Sequence, residues 1–378
     1  MIGARLGGTA AKGKAARMAK DYQFIDIQAS GPGVVTAAFD NQVAYCTAAG
    51  ATVTARVVAA LRDLLERGEG GKVLDAVRAW PGAPLADALP LRLAGAIHFL
   101  RLTGAQPRLE IIYTDQPDGD DAGIIAAALH THEAALLPWL DGPPQTNEAG
   151  RSANFIAAML WLAEQGLPPR FQCLEIGSSA GINLMLARYH YDLAGVSVGP
   201  EPGAMQFAPV WQGSPPPAHA IEIASTKGCD VAPVDLTDPV QALRLTAYIW
   251  PEHTVRFERM AAAVVEAAKS PPDLVQTNAA DFVEAELAKP QDAETTRVLM
   301  HSIVWQYVPD DQQARVTVAM NAAGAAATPE RPLAWISLEA NRVLHLHELV
   351  VRHWPGDGAP HLLARAHPHG ATIDWLEN

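Results

Sequence analysis

The sequence predicts an α/β protein: a Rossmann-like domain with a mostly parallel seven-stranded sheet and an antiparallel edge, preceded by an α-helical N-terminal domain. Three observations carry that expectation. From about Phe24 to Leu140 apolar residues recur at helical spacing without strong strands between them. From Ser152 to Gly181 a helix runs into a short apolar strand and a glycine turn, and beyond about residue 220 strand-like and helix-like segments alternate. The boundaries read as 1–22 for a disordered basic tail, 23–144 for the helical domain and 145–378 for the Rossmann-like domain, with a Pro-rich insertion at about 196–220.

Taken in order, VTARVVAALRDLLERG (Val53 to Gly68) and ALPLRLAGAIHFLRLTG (Ala88 to Gly104) repeat apolar residues at three and four, and each closes on a glycine. LEIIY (Leu109 to Tyr113) is the weak strand candidate of this half. In LDGPPQTNEAGR, Pro143 and Pro144 block helix until Asn147 or Glu148. SANFIAAMLWLAEQG sets Phe155, Met159 and Leu162 on one stripe, stops at Gly166 and leads into the strand FQCLEIG. The Pro/Gly-rich VSVGPEPGAMQFAPVWQGSPPPAHA is too long for a plain α/β connection and reads as a β-rich flap. Strand AIEIAS, a long amphipathic helix around PVQALRLTAYIW and TVRFERMAAAVVEAAK, strand DLVQTN, helix AADFVEAELA, strand RVLMHSIVW, helix DDQQARVTVAMNAAGAAA and strand PLAWISLEA follow. HELVVRHW and HLLARAHPHGATIDW face each other across PGDGAP as a closing antiparallel pair.

Composition narrows the partners. A net charge of −13 with no Lys/Arg run argues against nucleic acid, whose binding needs a concentrated basic surface, and leaves a small-molecule partner. Cys46, Cys173 and Cys229 are far apart and odd in number, which offers no disulfide framework or metal knuckle and fits a reducing cytoplasm. No apolar run reaches the ~18 to 20 residues that span a bilayer, so no membrane is expected. Late histidines such as His345 and His347 share a strand face, but without Cys or an H-x-x-E-H frame no metal is expected.

FQCLEIGSSAGINLMLARYHY (Phe171 to Tyr191) can be parsed as two active sites. With Glu175 it spells E-x-G-x-x-x-G, the loop by which a methyltransferase holds S-adenosylmethionine. Gly177 and Gly181 then bracket a turn where backbone approaches the cofactor, Ser178 and Ser179 lie within it, and helix GINLMLARYHY starts with free N–H groups aimed at the ligand. Glu175 meets the cofactor's ammonium group. Ser179 replaces the commoner middle glycine, which is tolerable at negative φ, where its hydroxyl can cap the helix.

Read instead as G-x-S-x-G, the same letters make Ser179 the nucleophile of a serine hydrolase, with Asp310 or Asp357 and His367 or His369 downstream. That reading wants strands and an H-G-G-G loop upstream, where the sequence has helices. A third reading is a non-catalytic nucleotide-binding or degenerate fold in which the turn only packs a helix on a strand.

Q-T-N-E-A-G-R (Gln145 to Arg151), L-E-I-G-S-S-A-G-I-N-L (Leu174 to Leu184) followed by R-Y-H-Y, G-C-D-V-A-P-V-D (Gly228 to Asp235), Trp250-Pro251 and H-S-I-V-W-Q-Y (His301 to Tyr307) resemble, in that order, a bacterial domain-of-unknown-function family. The resemblance runs from about Phe24 to the end and implies a helical part joined to a Rossmann-like methyltransferase fold. In that fold the second strand ends with an acid for the ribose hydroxyls, here Asp230 or Asp235. After the third strand, Asn278-Ala279 stands where an acid commonly meets adenine, and an amide can accept that bond. His301, Trp305 and Tyr307, at the end of the next strand, are candidates to line the acceptor pocket, with His301 or Tyr307 as base; packing is the plainer role. Glu339, ending ISLEA, is a similar candidate. Asn147, Glu148 and Arg151 crowd polar groups just before the first strand, where Glu148 and Arg151 either close the site and grip a charged substrate or form a structural ion cluster.

Overall fold

Helical spacing in the first third of the chain is realised as helices Val34–Ala48, Thr52–Arg67, Gly71–Arg78, Leu89–Leu102 and Asp121–Thr131. The structure, a computed structural model, describes residues 28–31, 33–114, 119–344 and 346–377; the expected tail at 1–22 and His345 lie outside the described residues. Two units divide the chain. One runs through Gln145 and takes in Leu243–Val255, and the other comprises Thr146–Ala242 and Arg256–Asn378.

In the first unit Phe39, Leu61, Leu64, Leu74, Leu93 and Ile97 form one core, which also takes in Ala247 and Tyr248 from the later excursion. LEIIY is not a strand: Pro107 opens a 3-10 turn over Pro107–Ile111. Ala51 offers the helix Thr52–Arg67 no capping side chain, and Glu252 supplies the acceptor instead, taking the Val53 and Thr54 N–H groups at 2.7 and 3.0 Å. The long helix expected across this region is two, Pro239–Ala247 and Thr254–Lys269, interrupted around Pro251, whose ring removes a backbone donor.

The second unit carries the strands β1 (Arg170–Ile176), β2 (His190–Leu193), β3 (Val196–Val198), β4 (Gln206–Phe207), β5 (Val210–Gln212), β6 (Glu222–Asp230), β7 (Leu274–Gln276), β8 (Thr296–Ser302), β9 (Leu333–Asn341), β10 (Leu346–Trp354), β11 (His361–Ala366) and β12 (Thr372–Trp375). The main sheet has nine strands, not seven, in the order β5-β12-β11-β10-β9-β8-β1-β6-β7. From β7 to β9 all neighbours are parallel; β9 to β12 zigzag antiparallel, and β5 lies parallel to β12. The additional strands arise because HLLARAHPHGATIDW folds back on itself to give β11 and β12, and because the Pro-rich insertion contributes β5. The insertion's remaining strands make a separate sheet, β3-β2-β4.

The first strand of the parallel set thus lies at its centre. Chain order runs outward through β6 and β7 on one side and through β8 and β9 on the other, so it reverses between β1 and β8. Where strand order reverses, the connections diverge and leave a crevice at the carboxyl ends, the place where open α/β sheets take ligands. Glu175, His301 and Glu339 stand at or near those ends of β1, β8 and β9.

One expected element is absent. GINLMLARYHY forms only a 3-10 turn, Asn183–Arg188, before β2 begins at His190. The carbonyls of Ile182 and Leu186 accept the hydroxyls of Tyr189 and Tyr191 at 2.8 and 3.0 Å, and the Ile182 N–H goes to Asn147 Oδ1 at 2.9 Å. Groups an α-helix would pair locally are therefore taken by side chains. Among the described residues no helix is long and apolar enough to cross a membrane.

Candidate functional site

The glycine turn sits at the switch between β1 and β8. Gly177 has φ 67, and a Cβ there would overlap the Val304 side chain; Gly181 has φ 69. Ser178 donates its hydroxyl to the Glu175 carbonyl at 2.9 Å and its N–H to the Cys229 carbonyl at 2.9 Å. Ser179 departs from the expectation of negative φ: its φ is 52, a left-handed conformation in which it caps nothing. Its N–H donates to Asp230 Oδ2 at 2.9 Å, while its buried hydroxyl has no partner among the described residues. The turn's N–H groups are thus largely spent inside the protein, since those of Gly181 and Leu184 also close on backbone carbonyls.

Glu175 is 1% exposed at the end of β1. Its Oε1 accepts from Asn183 Nδ2 at 3.2 Å, and its Oε2 is buried with no partner, as is Asn183 Oδ1. Burial pushes the carboxyl up to about 7, against the opposing pull of the Asn183 hydrogen bond and the Arg151 charge. Two acceptor oxygens on hydrogen-bonded neighbours therefore lack a donor, which buried polar groups rarely do.

Arg151 ends the short turn Ala149–Arg151. Its Nε and Nη1 donate to the carbonyls of Pro368 and Ser302 at 2.9 and 3.3 Å. Burial lowers its pKa to about 10, opposed by the carboxylates of Glu148, Glu339 and Glu175, yet it closes no ion pair with any of them. Glu148 is committed elsewhere. Its oxygens take Arg256 Nε at 2.6 Å, Arg259 Nη1 at 3.2 Å and the Gly150 N–H at 3.2 Å. Glu148 is thus held in an ion cluster with Arg256 and Arg259. Asn147 fastens the glycine turn through Ile182.

His301, 2% exposed, meets Glu339 Oε1 through Nδ1 at 2.7 Å, and its Nε2 accepts the Trp335 indole N–H at 3.0 Å. Both ring nitrogens of His301, expected as a candidate base, are thus hydrogen-bonded within the protein. Trp305 stacks on the imidazole with ring centroids 5.1 Å apart. Tyr307 is 54% exposed.

The remaining candidates divide. Asp230 lies beside the turn, bound by the Ser179 and Ala232 N–H groups. Asp235 is further along the loop and accepts from the N–H and hydroxyl of Thr237. Asn278, expected to meet adenine, is the N-cap of Ala279–Leu287, its Oδ1 accepting the Asp281 N–H at 2.9 Å; Ala279 is buried. His367 Nδ1 accepts the His369 N–H, and Asp357 caps the turn at Ala359, so neither pairs with Ser179. Among the described residues no group of three or more His, Cys, Asp or Glu is placed to hold a metal. A cavity of about 450 Å³ lies at the amino ends of the strands, lined by Leu167, Pro169, His219 and Glu294, away from these residues.

Sequence reasoning missed Asn183, Trp335, Val304, Arg256 and Arg259. Asn183 stood two residues beyond Gly181, Val304 lay inside H-S-I-V-W-Q-Y and Trp335 inside PLAWISLEA, all open to inspection; Arg256 and Arg259 come from a distant helix and carried no local signal.

Residues 36–375 match the sequence profile of a family described as an uncharacterized protein conserved in bacteria (DUF2332), and the chain belongs to that family. No curated protein and no solved structure matches it.

Proposed function

We propose that this member of an uncharacterised bacterial family binds S-adenosylmethionine at the carboxyl ends of β1, β6 and β8 and transfers its methyl group to a small molecule. The observation that carries the reading is the unpaired Glu175 Oε2 beside the unpaired Asn183 Oδ1. An ammonium group is a pure donor, so it suits two acceptors that lack one, and its charge would return the buried carboxyl to its ionised form. Asp230 would take the ribose hydroxyls, since Oδ2 accepts the Ser179 N–H and Oδ1 the Ala232 N–H, and a carboxylate oxygen has a second lone pair. The strand order, with the first strand central and reversal at β1/β8, favours a Rossmann-like methyltransferase fold. Two features depart from that pattern, the missing helix after the turn and the capped Asn278.

When bound, the cofactor supplies a methyl carbon activated by sulfonium. Glu175 and Asn183 would hold its amino end, and alignment with exclusion of water would supply much of the catalysis.

Calorimetric titration with S-adenosylmethionine and S-adenosylhomocysteine tests the proposal. Micromolar binding is expected, weakened at least about tenfold in Glu175→Gln, the change that removes one charged contact. Below pH 7 binding should also release a proton, read as a dependence of the heat on buffer ionisation. No binding of either compound overturns the reading. Ser179's positive φ, shared with strained nucleophile turns, favours a serine hydrolase as the second reading; fluorophosphonate labelling lost in Ser179→Ala would establish it.

A further inference from the structure

The pairings around β9 exchange the roles of two residues. Glu339 Oε1 takes three donors: His301 Nδ1 at 2.7 Å and the N–H groups of Val304 and Trp305 at 3.2 Å each. That fixes the carboxylate plane and leaves Oε2 with no donor among the described residues, on a side chain 21% exposed. The Trp305 ring stacks on His301, and the exposed Tyr307 lies within the field of the Glu339 charge. Glu175, Asp230 and Glu339 contribute three carboxylates to these strand ends, against two guanidiniums, those of Arg151 and, toward Tyr307, Arg342, while Glu148 is already paired with Arg256 and Arg259. An oriented carboxylate oxygen beside aromatic rings in an acid-rich setting selects a cation over an anion or a neutral hydroxyl.

We propose that Glu339, held in place by His301, contacts the methyl acceptor, and that the acceptor is an organic amine with an aromatic or apolar body. This rests on the methyltransferase reading. The bound ammonium would first give a proton to Glu339 Oε2, the lone pair so freed on nitrogen would form the new N–C bond, and the C–S electron pair would stay with sulfur, leaving the product as a protonated N-methylamine. His301 is a positioning residue, since both of its nitrogens are engaged.

The test is calorimetric titration of the full chain with phenethylamine and with phenethyl alcohol, each with and without saturating S-adenosylhomocysteine. The amine should bind at least about tenfold tighter than the alcohol, and Glu339→Gln should abolish that preference while leaving S-adenosylhomocysteine affinity and the thermal midpoint nearly unchanged. Glutamine can still accept the Val304 and Trp305 N–H groups, so a structural role alone predicts no change in amine preference. If the variant fails to fold, the amine-to-alcohol ratio of the unaltered protein decides. Equal binding of the two probes, no detectable binding of the amine, or a preference that survives in Glu339→Gln overturns the proposal. The two readings fail separately: an amine preference lost in Glu339→Gln without S-adenosylhomocysteine binding would sink the cofactor assignment alone, and cofactor binding without amine preference would sink this one alone.

Discussion

The indole N–H of Trp335 points at His301 Nε2 from 3.0 Å, and this one contact sets the protonation of a ring 34 residues away in sequence. Indole nitrogen only donates, so Nε2 must accept, and the ring proton resides on Nδ1, aimed at Glu339. In Trp335→Phe the accepting nitrogen loses its donor while remaining buried, at a cost of about 1 to 3 kcal/mol. Nitrogen-15 NMR of the neutral ring should show Nδ1 protonated and Nε2 bare. A protonated Nε2 would refute the assignment.

Glu175 makes stability depend on pH in the direction opposite to most carboxylates. Its folded pKa, about 7, lies above the reference value of 4.5, so between those values the folded chain keeps a proton that the unfolded chain has released. Its contribution is therefore most favourable below 4.5, declines as pH rises and levels off above about 7, by about 3 kcal/mol in all. Glu175→Gln should remove that slope and make the protein more stable than the unaltered chain at pH 8. Urea denaturation at pH 5 and pH 8 reads it; parallel midpoints in the two proteins would contradict it.

Gly177→Ala should destabilise on two counts, the left-handed φ of 67 and overlap with Val304. The expected loss is about 2 to 4 kcal/mol, combining backbone strain with overpacking. Val304→Ala in the same chain should return only the packing part, so the pair should be non-additive in denaturation. Strict additivity would place the strain elsewhere.

Removal of the Glu148 carboxylate strands two guanidinium groups. Glu148→Ala is expected to cost about 3 to 5 kcal/mol, the loss typical when one member of a buried ion cluster is deleted. Thermal unfolding of Glu148→Ala and Arg259→Ala side by side checks this, with the half-buried Arg259 expected to matter less.

Strands β1, β8 and β9 were legible because each is rich in apolar residues and bounded by turn formers, whereas β6, EIASTKGCD, was read only in its first half because Thr226 to Asp230 are mostly polar. Glu175, His301 and Glu339 could be placed because strand ends are easy to locate. The segment after Gly181 was not legible. Ile182 through Leu186 are buried on all sides, so their apolar spacing carried no directional information, and the deciding bonds come from Tyr189, Tyr191 and Asn147. The chemistry of His301 failed to show for the same reason: a tautomer is set by Trp335 and Glu339, which only the β8–β9 register brings alongside. The capping role of Asn278 was not legible, because capping and ligand binding ask for the same amide.

The loan of Leu243–Val255 to the helical unit has a consequence for ancestry. Its Ala247 and Tyr248 fill the helical core, and its Glu252 closes a helix there, so the coding segment of one unit is embedded inside that of the other. A single recombination breakpoint cannot separate the two, and a gene truncated to either part would leave the helical core short of two side chains or the sheet unit with a stray apolar strip. The pair is expected to be gained, lost and shuffled among genomes as one inheritance, never as two.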